Sequence, residues 1–255
     1  MYAEERRRLL VEIARSDGRV QVSSAAERFD VTPETIRRDL EVLDRSGVLR
    51  RVHGGAVPSD FLPLGDLALV DREQSATDEK DRIAVAARAL LPQQPHASVL
   101  IDAGTTTSRL AGLVPANSTL TIFTNSLPIA ATLSSRTTAD VQLLGGQVKG
   151  ITQACVGGNT VAWLSRLRVD VAFIGANGIT PEHGLSTPDC AEAVVKEQMV
   201  RSARRVVLLA DSRKLGAETA TSFAPLDAVD VFVTDAISPH QHQVCTQRGI
   251  EVVVA

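Results

Sequence analysis

Aromatic side chains are scarce in this 255-residue chain, with one tryptophan, one tyrosine and six phenylalanines, so its cores must be built from aliphatic residues. Lysine is rarer still: Lys80, Lys149, Lys196 and Lys214 are the only four among 27 basic residues. The three cysteines, Cys155, Cys190 and Cys245, are odd in number, far apart and in no metal-ligand spacing with the five histidines. That excludes a disulfide framework and argues against a metal site, and it points to reduced thiols in the cytoplasm. Cys155, in GITQACVGG, reads as a small buried packing residue, with redox sensing as the alternative. No run of about twenty apolar residues is present, and the charged N-terminus has no apolar signal core, so neither export nor membrane insertion is expected.

A net charge of −3 would by itself argue against a nucleic-acid partner, but the charge is unevenly divided. Residues 1–58 hold eleven arginines against ten carboxylates, a net of +1, and the remainder is −4. Within that first part, TPETIRRDLEVLDRSGVLRRVHGGA (Thr32 to Ala56) carries the most information. Thr32 suits a helix N-cap, Pro33 the first helical position, and Glu34 the positive end of the helix dipole. Ile36, Leu40 and Leu43 recur at helical spacing as a buried stripe, leaving Thr35, Arg37, Arg38 and Glu41 on other faces. Gly47 is expected to end this helix.

Upstream, Leu9, Leu10, Ile13 and Ala14 predict a first amphipathic helix, and SSAAERF (Ser23 to Phe29) a second, capped by serine. Only Asp30 and Val31 separate the second helix from the third, the spacing of a helix-turn-helix. The N-terminal part of the last helix then enters the DNA major groove, so Thr32, Thr35, Arg37 and Arg38 are the candidate contacts. One arginine reads a base edge and the other meets a phosphate, in an order the sequence leaves open. Arg50, Arg51 and His53 in VLRRVHGGA would flank the helix as a wing.

Residues 1–57 are thus expected to form a winged helix-turn-helix domain, 58–77 a linker with Pro58, Pro63 and Gly65, and 78–255 a larger α/β domain. In that last part a helix over Asp78 to Leu91 is followed by SVLID, LTIFT, VQLLG, VDVAFIG, VVLLAD and VDVFVTD, recurring between helical stretches. Short β-branched runs separated by helices predict a mostly parallel sheet covered on both faces. Ligands of such sheets sit at the carboxyl ends of the strands. There the turn DAGTTT (Asp102, Gly104, Thr105, Thr106, Thr107) passes from strand to helix, with amides and three hydroxyls expected to face outward as a phosphate cradle. Further turns follow at Asn125, at Gly145 and Gly146, and at Asn177 and Gly178, whose amides suit sugar hydroxyls. Lys214 follows VVLLADS and would complement a phosphate dianion. Lys196, one helical turn after Glu192, reads from spacing as half of a surface ion pair.

TPETIRRDL followed by RVHGGA resembles the N-terminal signature of the DeoR family of bacterial transcription regulators, and the resemblance covers essentially the whole chain. MYAEERRR, LLGGQVKGITQACVG and HGLSTPD look closer to the actinobacterial SugR-like and FruR-like repressors of sugar phosphotransferase and fructose-utilisation genes. The resemblance implies a C-terminal domain similar to sugar-phosphate isomerases. It places Asp102, the AGTTT loop, Asn125, Gly145, Gly146, Lys149, Asn177, Gly178, Glu192, Lys196, Asp211 and Lys214 in an effector pocket. Arg213 and Leu215 stand where the family usually has serine and phenylalanine, and Lys149 where many relatives have arginine.

The function expected is a repressor of sugar uptake or catabolism genes. It would bind double-stranded operator DNA as a homodimer or homotetramer, and a phosphorylated sugar, fructose 1-phosphate or another hexose phosphate, would release it. No cofactor, metal or catalytic residue is expected. The alternative is a sugar-phosphate isomerase with an accessory DNA-binding domain. The related pentose-phosphate isomerases carry Asp-Gly-Ala-Asp where this chain has Gly175-Ala176-Asn177-Gly178, which lacks both carboxylates.

Overall fold

The computed structural model of the chain describes residues 3–17, 19–45, 48–52, 54–58 and 75–255. It divides into two compact units, Met1–Asp66 and Leu67–Ala255. The segment 59–74, most of the expected linker, lies outside the described residues, as do His53 and Gly47.

In the first unit, α1 (Ala3–Asp17), α2 (Val22–Phe29) and α3 (Pro33–Arg45) are joined by β1 (Val20–Gln21), β2 (Leu49–Val52) and β3 (Gly55–Pro58). The start of α3 follows from its sequence, because the Thr32 hydroxyl accepts the Thr35 amide at 3.3 Å and Pro33 opens the helix. The expected serine cap of α2 is not formed. That helix begins one residue earlier at Val22, whose amide donates to the Gly54 carbonyl at 2.9 Å, so backbone rather than a hydroxyl takes up an orphan donor. Asp30 closes α2 in the left-handed region at φ 52°, a conformation its short polar side chain tolerates, and this turns the chain into α3. Leu10, Ala14, Phe29, Ile36, Leu40, Leu43, Leu49 and Ala56 form the core between the helices and the small sheet.

That sheet runs β1-β3-β2, antiparallel, with Arg51 opposite Ala56 on one side and Val20 opposite Ala56 on the other. The two glycines of the wing do different work. Gly54 turns the chain at φ 83°, whereas a Cβ on Gly55 would fall 2.0 Å from the Val20 carbonyl oxygen, so only glycine lets β1 approach.

The second unit begins with α4 (Thr77–Arg88), which starts one residue before the expected Asp78 and stops three short of Leu91. Then follow β4 (Ser98–Ile101), α5 (Thr105–Gly112), β5 (Thr121–Thr124), α6 (Leu127–Arg136), β6 (Asp140–Leu143), the hairpin β7 (Gln147–Val148) and β8 (Cys155–Val156), α7 (Gly158–Leu164) and β9 (Val171–Ile174). The chain continues through β10 (Gly178–Thr180), β11 (Gly184–Thr187), α8 (Cys190–Ser202), β12 (Val206–Leu209), β13 (Thr221–Ala224), β14 (Val231–Thr234), α9 (Pro239–Gln247) and β15 (Glu251–Val254). Seven strands form one parallel sheet in the order β15-β14-β12-β9-β4-β5-β6.

Alternation along the central strands supplies two cores, one on each face. Val99 and Ile101 join Val171, Phe173, Val207 and Leu209 against Ile83 and Ala87 of α4, Leu110 of α5 and Leu133 of α6. Leu100, Ala172, Ile174 and Leu208 face Leu164 of α7 and Val195 and Met199 of α8. Each such aliphatic side chain, fully buried, contributes about 1.5–3 kcal/mol. A second, antiparallel sheet, β10-β11-β13, packs Ile179, Leu185 and Phe223 onto that same α7–α8 side. Among the described residues no helix is long and apolar enough to cross a membrane.

Candidate functional site

On α3 the expected DNA-facing residues lie at the surface. Arg37 and Arg38 are exposed, with an Arg37 guanidinium nitrogen 3.1 Å from the Glu34 carboxylate, and the Thr35 and Thr32 hydroxyls are 2.9 Å apart. Arg50 and Arg51 are placed by the backbone of β2, and His53 lies outside the described residues. Asp39 has no counterpart among the expected site residues. It is 2% exposed and receives the Arg6 Nε at 2.5 Å and the Arg7 Nε at 3.0 Å, so two cations of α1 meet one carboxylate of α3.

In the second unit the strand order decides where a crevice opens. From β4 the chain proceeds outward through β5 and β6, then returns to lay β9 on the other side of β4. The connections leaving β4 and β9 therefore diverge at their carboxyl ends. Asp102 follows β4 and Gly175 follows β9, and they meet: the Gly175 amide donates to Asp102 Oδ2 at 3.0 Å. Lys196 reaches the same point from α8, paired with the Asp102 carboxylate and donating to the Gly175 carbonyl at 2.9 Å. Its ammonium also lies 5.5 Å from the Phe223 ring centroid. Lys196 is 6% exposed, so the surface pairing with Glu192 that spacing suggests is not what forms. Residues 193, 196 and 199 share one stripe of α8, and Ala193 and Met199 carry Lys196 into the interior with them.

The DAGTTT turn opens α5 as expected, but its third hydroxyl points inward. Thr107 Oγ1 donates to the Asp102 carbonyl at 2.7 Å and accepts the Gly104 amide at 3.0 Å, closing the loop on itself. Thr105, Thr106 and Thr107 are all buried, so the picture of three outward hydroxyls is corrected: the one at 107 shapes the loop. Asn125, at the end of β5, straps two loops together, accepting the Ala103 amide at 3.1 Å and donating to the Cys155 carbonyl at 3.0 Å. Asn177 is buried and accepts the Thr187 hydroxyl at 3.2 Å.

Of the turn glycines, Gly145 has open space where a side chain would begin, while Gly146 lies against Thr160 Oγ1 and the Val156 carbonyl, and Gly178 against the Ala217 carbonyl. Gly146 and Gly178 are therefore packing glycines.

Two charged groups flank the crevice. On the β5–β6 side, Lys149 of the β7–β8 hairpin pairs with Asp189 and stands 3.6 Å from Glu192, which also accepts the Thr152 hydroxyl at 2.8 Å. Burial raises the Asp189 pKa, but the Lys149 ammonium and the amides of Glu192 and Ala191 outweigh it and hold the carboxyl below its ordinary value. On the β12 side, Asp211 is 1% exposed and accepts Arg213 Nε at 2.8 Å. Burial again opposes ionisation, and the Arg213 hydrogen bond together with the charges of Lys214, Arg213 and Lys80 brings its pKa below the usual carboxylate range. Lys80 is the residue missed here. It is 4% exposed on α4, donates to the Ser75 carbonyl at 2.7 Å, and adds to the field at Asp211. The scarcity of lysine, of which Lys80 is one of four, was the available signal.

Family models match both units: a DeoR-like helix-turn-helix domain over residues 6–60 and a DeoR C-terminal sensor domain over residues 75–236. The HTH-type transcriptional regulator GlpR of Haloferax volcanii is 36% identical over 98% of this chain and 97% of its own. The glycerol-3-phosphate regulon repressor of Escherichia coli is 32% identical over 99% of each. A Bacillus subtilis HTH-type regulator, FruR, is 30% identical over 92% of each. Among solved structures, ribose 5-phosphate isomerase A from Methanocaldococcus jannaschii shares 16% identity over 55% of each chain with a TM-score of 0.41, too slight a likeness to bear on ligand or activity.

Proposed function

The chain belongs to the DeoR family of transcriptional regulators, and from that premise we propose that it represses genes of sugar uptake or catabolism and leaves its operator when a phosphorylated sugar enters the crevice beside Asp102. The observation that carries the effector half is the convergence of Asp102, Gly175 and Lys196 at the point where the strand order reverses, flanked by Lys149 and by the Lys80–Asp211–Arg213 group. Amides at the start of α5 and ammonium groups on two sides suit a phosphate, and polar loop ends suit sugar hydroxyls.

The contact set on DNA is Thr32, Thr35, Arg37 and Arg38 with Arg50, Arg51 and His53 of the wing. The effector set is Asp102, Gly104, Thr105, Thr106, Asn125, Gly145, Lys149, Asn177, Glu192, Lys196, Asp211 and Lys214, with Thr107, Gly146 and Gly178 shaping the loops around it.

Fructose 1-phosphate is the first effector to test, followed by fructose 6-phosphate and other hexose phosphates. The Escherichia coli relative, a glycerol-3-phosphate regulon repressor, adds glycerol 3-phosphate to the set. Placement near the SugR-like repressors rests on the sequence motifs. The regulator works as a homodimer or homotetramer in this proposal, with effector and DNA favouring different arrangements by about 1–3 kcal/mol. The isomerase alternative is not favoured. The 175–178 turn has no carboxylate, Asp102 is engaged by Lys196, and the relatives are named as regulators.

A thermal-shift screen of phosphorylated sugars tests the effector half, since a ligand at 100 times its Kd stabilises by about 2.7 kcal/mol. An effector found there must also raise the Kd for operator DNA. A screen in which every phosphosugar leaves the melting temperature unchanged defeats the sensor reading.

A further inference from the structure

Helix geometry on α3 separates the two arginines that the sequence leaves equivalent. At about 100° per residue, the direction opposite the Ile36–Leu40–Leu43 stripe falls within about 20° of Arg38, whereas Arg37 stands about 90° away on the flank. Arg37 also shares its charge with Glu34 at 3.1 Å, while Arg38 has no ion pair among the described residues. The other flank holds Thr35 and, beneath it, Asp39.

There the charges do not cancel. One buried carboxylate receives Arg6, whose side chain is 9% exposed, and Arg7, whose side chain is 33% exposed. Arg6 is enclosed with Asp39. The surplus positive charge is therefore Arg7's, and it reaches solvent on the side of α3 away from Arg37.

Resting on the DNA-binding reading above, we propose that Arg7 of α1 is a phosphate-contacting residue held in place by Asp39, that Arg37 contacts phosphate on the opposite wall of the groove, and that Arg38 reads base edges between them. The major groove is about 12 Å wide, so a helix lying in it leaves side chains on either flank against the two backbones and one row against the base pairs. Phosphate contacts fix register and carry no sequence information, whereas a base contact does. Asp39 is then a positioning residue. It bonds Arg7 through Nε, which leaves the terminal guanidinium nitrogens available to an oxygen anion.

The probes are a duplex enriched from a random pool by the full wild-type chain and a scrambled duplex of the same composition, titrated by fluorescence anisotropy at several salt concentrations. Arg7→Gln should weaken binding to both duplexes by the same factor and lower the slope of log K against log salt by about 0.9. Arg7→Lys should retain the slope, and Arg37→Ala should behave as Arg7→Gln does. Arg38→Ala should lose about 5- to 150-fold on the enriched duplex and little on the scrambled one. Arg7→Gln leaves Asp39 its 2.5 Å partner Arg6, and an unchanged melting temperature will confirm that it folds.

Asp39→Asn separates positioning from simple charge. Removing a negative charge beside DNA should tighten binding on electrostatics alone, so weaker binding by a folded variant supports the positioning role. A folded Arg7→Gln with the wild-type salt slope overturns the proposal, as does an Arg37→Ala variant that erases the preference for the enriched duplex while Arg38→Ala keeps it. Wild-type protein that enriches no duplex overturns the DNA-binding reading itself.

Discussion

Removing the Lys196 ammonium should destabilise the second unit even with no ligand present. In Lys196→Met the Asp102 carboxylate, 1% exposed, keeps only the Gly175 amide at 3.0 Å, and the Gly175 carbonyl loses its 2.9 Å donor. Breaking a buried pair from one side costs about 3–5 kcal/mol. For a unit of this size each kcal/mol shifts the midpoint by about 2–4 °C, so Tm should fall by about 6–20 °C. The same attraction is opposed by desolvation in the wild type, and replacing both partners with apolar groups is often close to neutral. Lys196→Met combined with Asp102→Leu should therefore recover most of the loss, with a coupling energy of about 2 kcal/mol or more. Urea unfolding followed by circular dichroism reads this, since the tryptophan of the second unit, Trp163 in α7, is 60% exposed and its fluorescence changes little on unfolding. Single variants within about 1 kcal/mol of wild type, or a double variant equal to the sum of the singles, would refute the reasoning.

Acid should act through Asp211. Its folded pKa is depressed, so its contribution is present above the unfolded value near 3.9 and is lost as pH falls through the lower folded value. Urea midpoints measured downward from pH 6 should drop below about pH 4 and drop less steeply in Asp211→Asn; an identical acid limb would show that Asp211 is not the group. Lys149→Ala and Lys214→Ala should each bind operator normally and respond poorly to effector, and a wild-type response in gel shift removes that lysine from the effector set. Gly55→Ala brings a Cβ to 2.0 Å from the Val20 carbonyl and should detach β1 from the wing sheet, lowering operator affinity; unchanged anisotropy titrations would contradict this. Cys190 is exposed, while burial pushes the thiols of Cys155 and Cys245 up, so a disulfide reagent should label Cys190 first, and fast labelling at Cys155 would revive a redox role.

The parts of the fold that could be read beforehand are those whose local chemistry and burial agree. Thr32-Pro33 has one cheap conformation and the Ile36–Leu40–Leu43 stripe one face to bury, and the six apolar β-branched runs became β4, β5, β6, β9, β12 and β14. The antiparallel β10-β11-β13 sheet was not legible. Gly178–Thr180 and Gly184–Thr187 are buried on both faces and mix glycine and threonine, so no alternation marks them. Terminal β15 escaped because its identity as a strand depends on pairing with β14. At the site, spacing alone put Lys196 on a surface with Glu192; its position on the Ala193–Met199 stripe was the better guide. The pairing of Asp39 with two residues some thirty positions earlier has no local signature at all.

The central place of β4 also sets an order of events during synthesis. All the strand partners of the first unit lie within its own short span, so it can fold as soon as it clears the ribosome. β4 pairs with β5 promptly, but its other edge waits for β9, where Val99 meets Val171. At about 5–20 residues per second, roughly 70 residues of further chain leave that apolar edge open for about 4–14 s. A nascent molecule thus completes its helix-turn-helix unit well before its second sheet closes, and in the interval the open apolar edge is the part of the chain most exposed to misassembly.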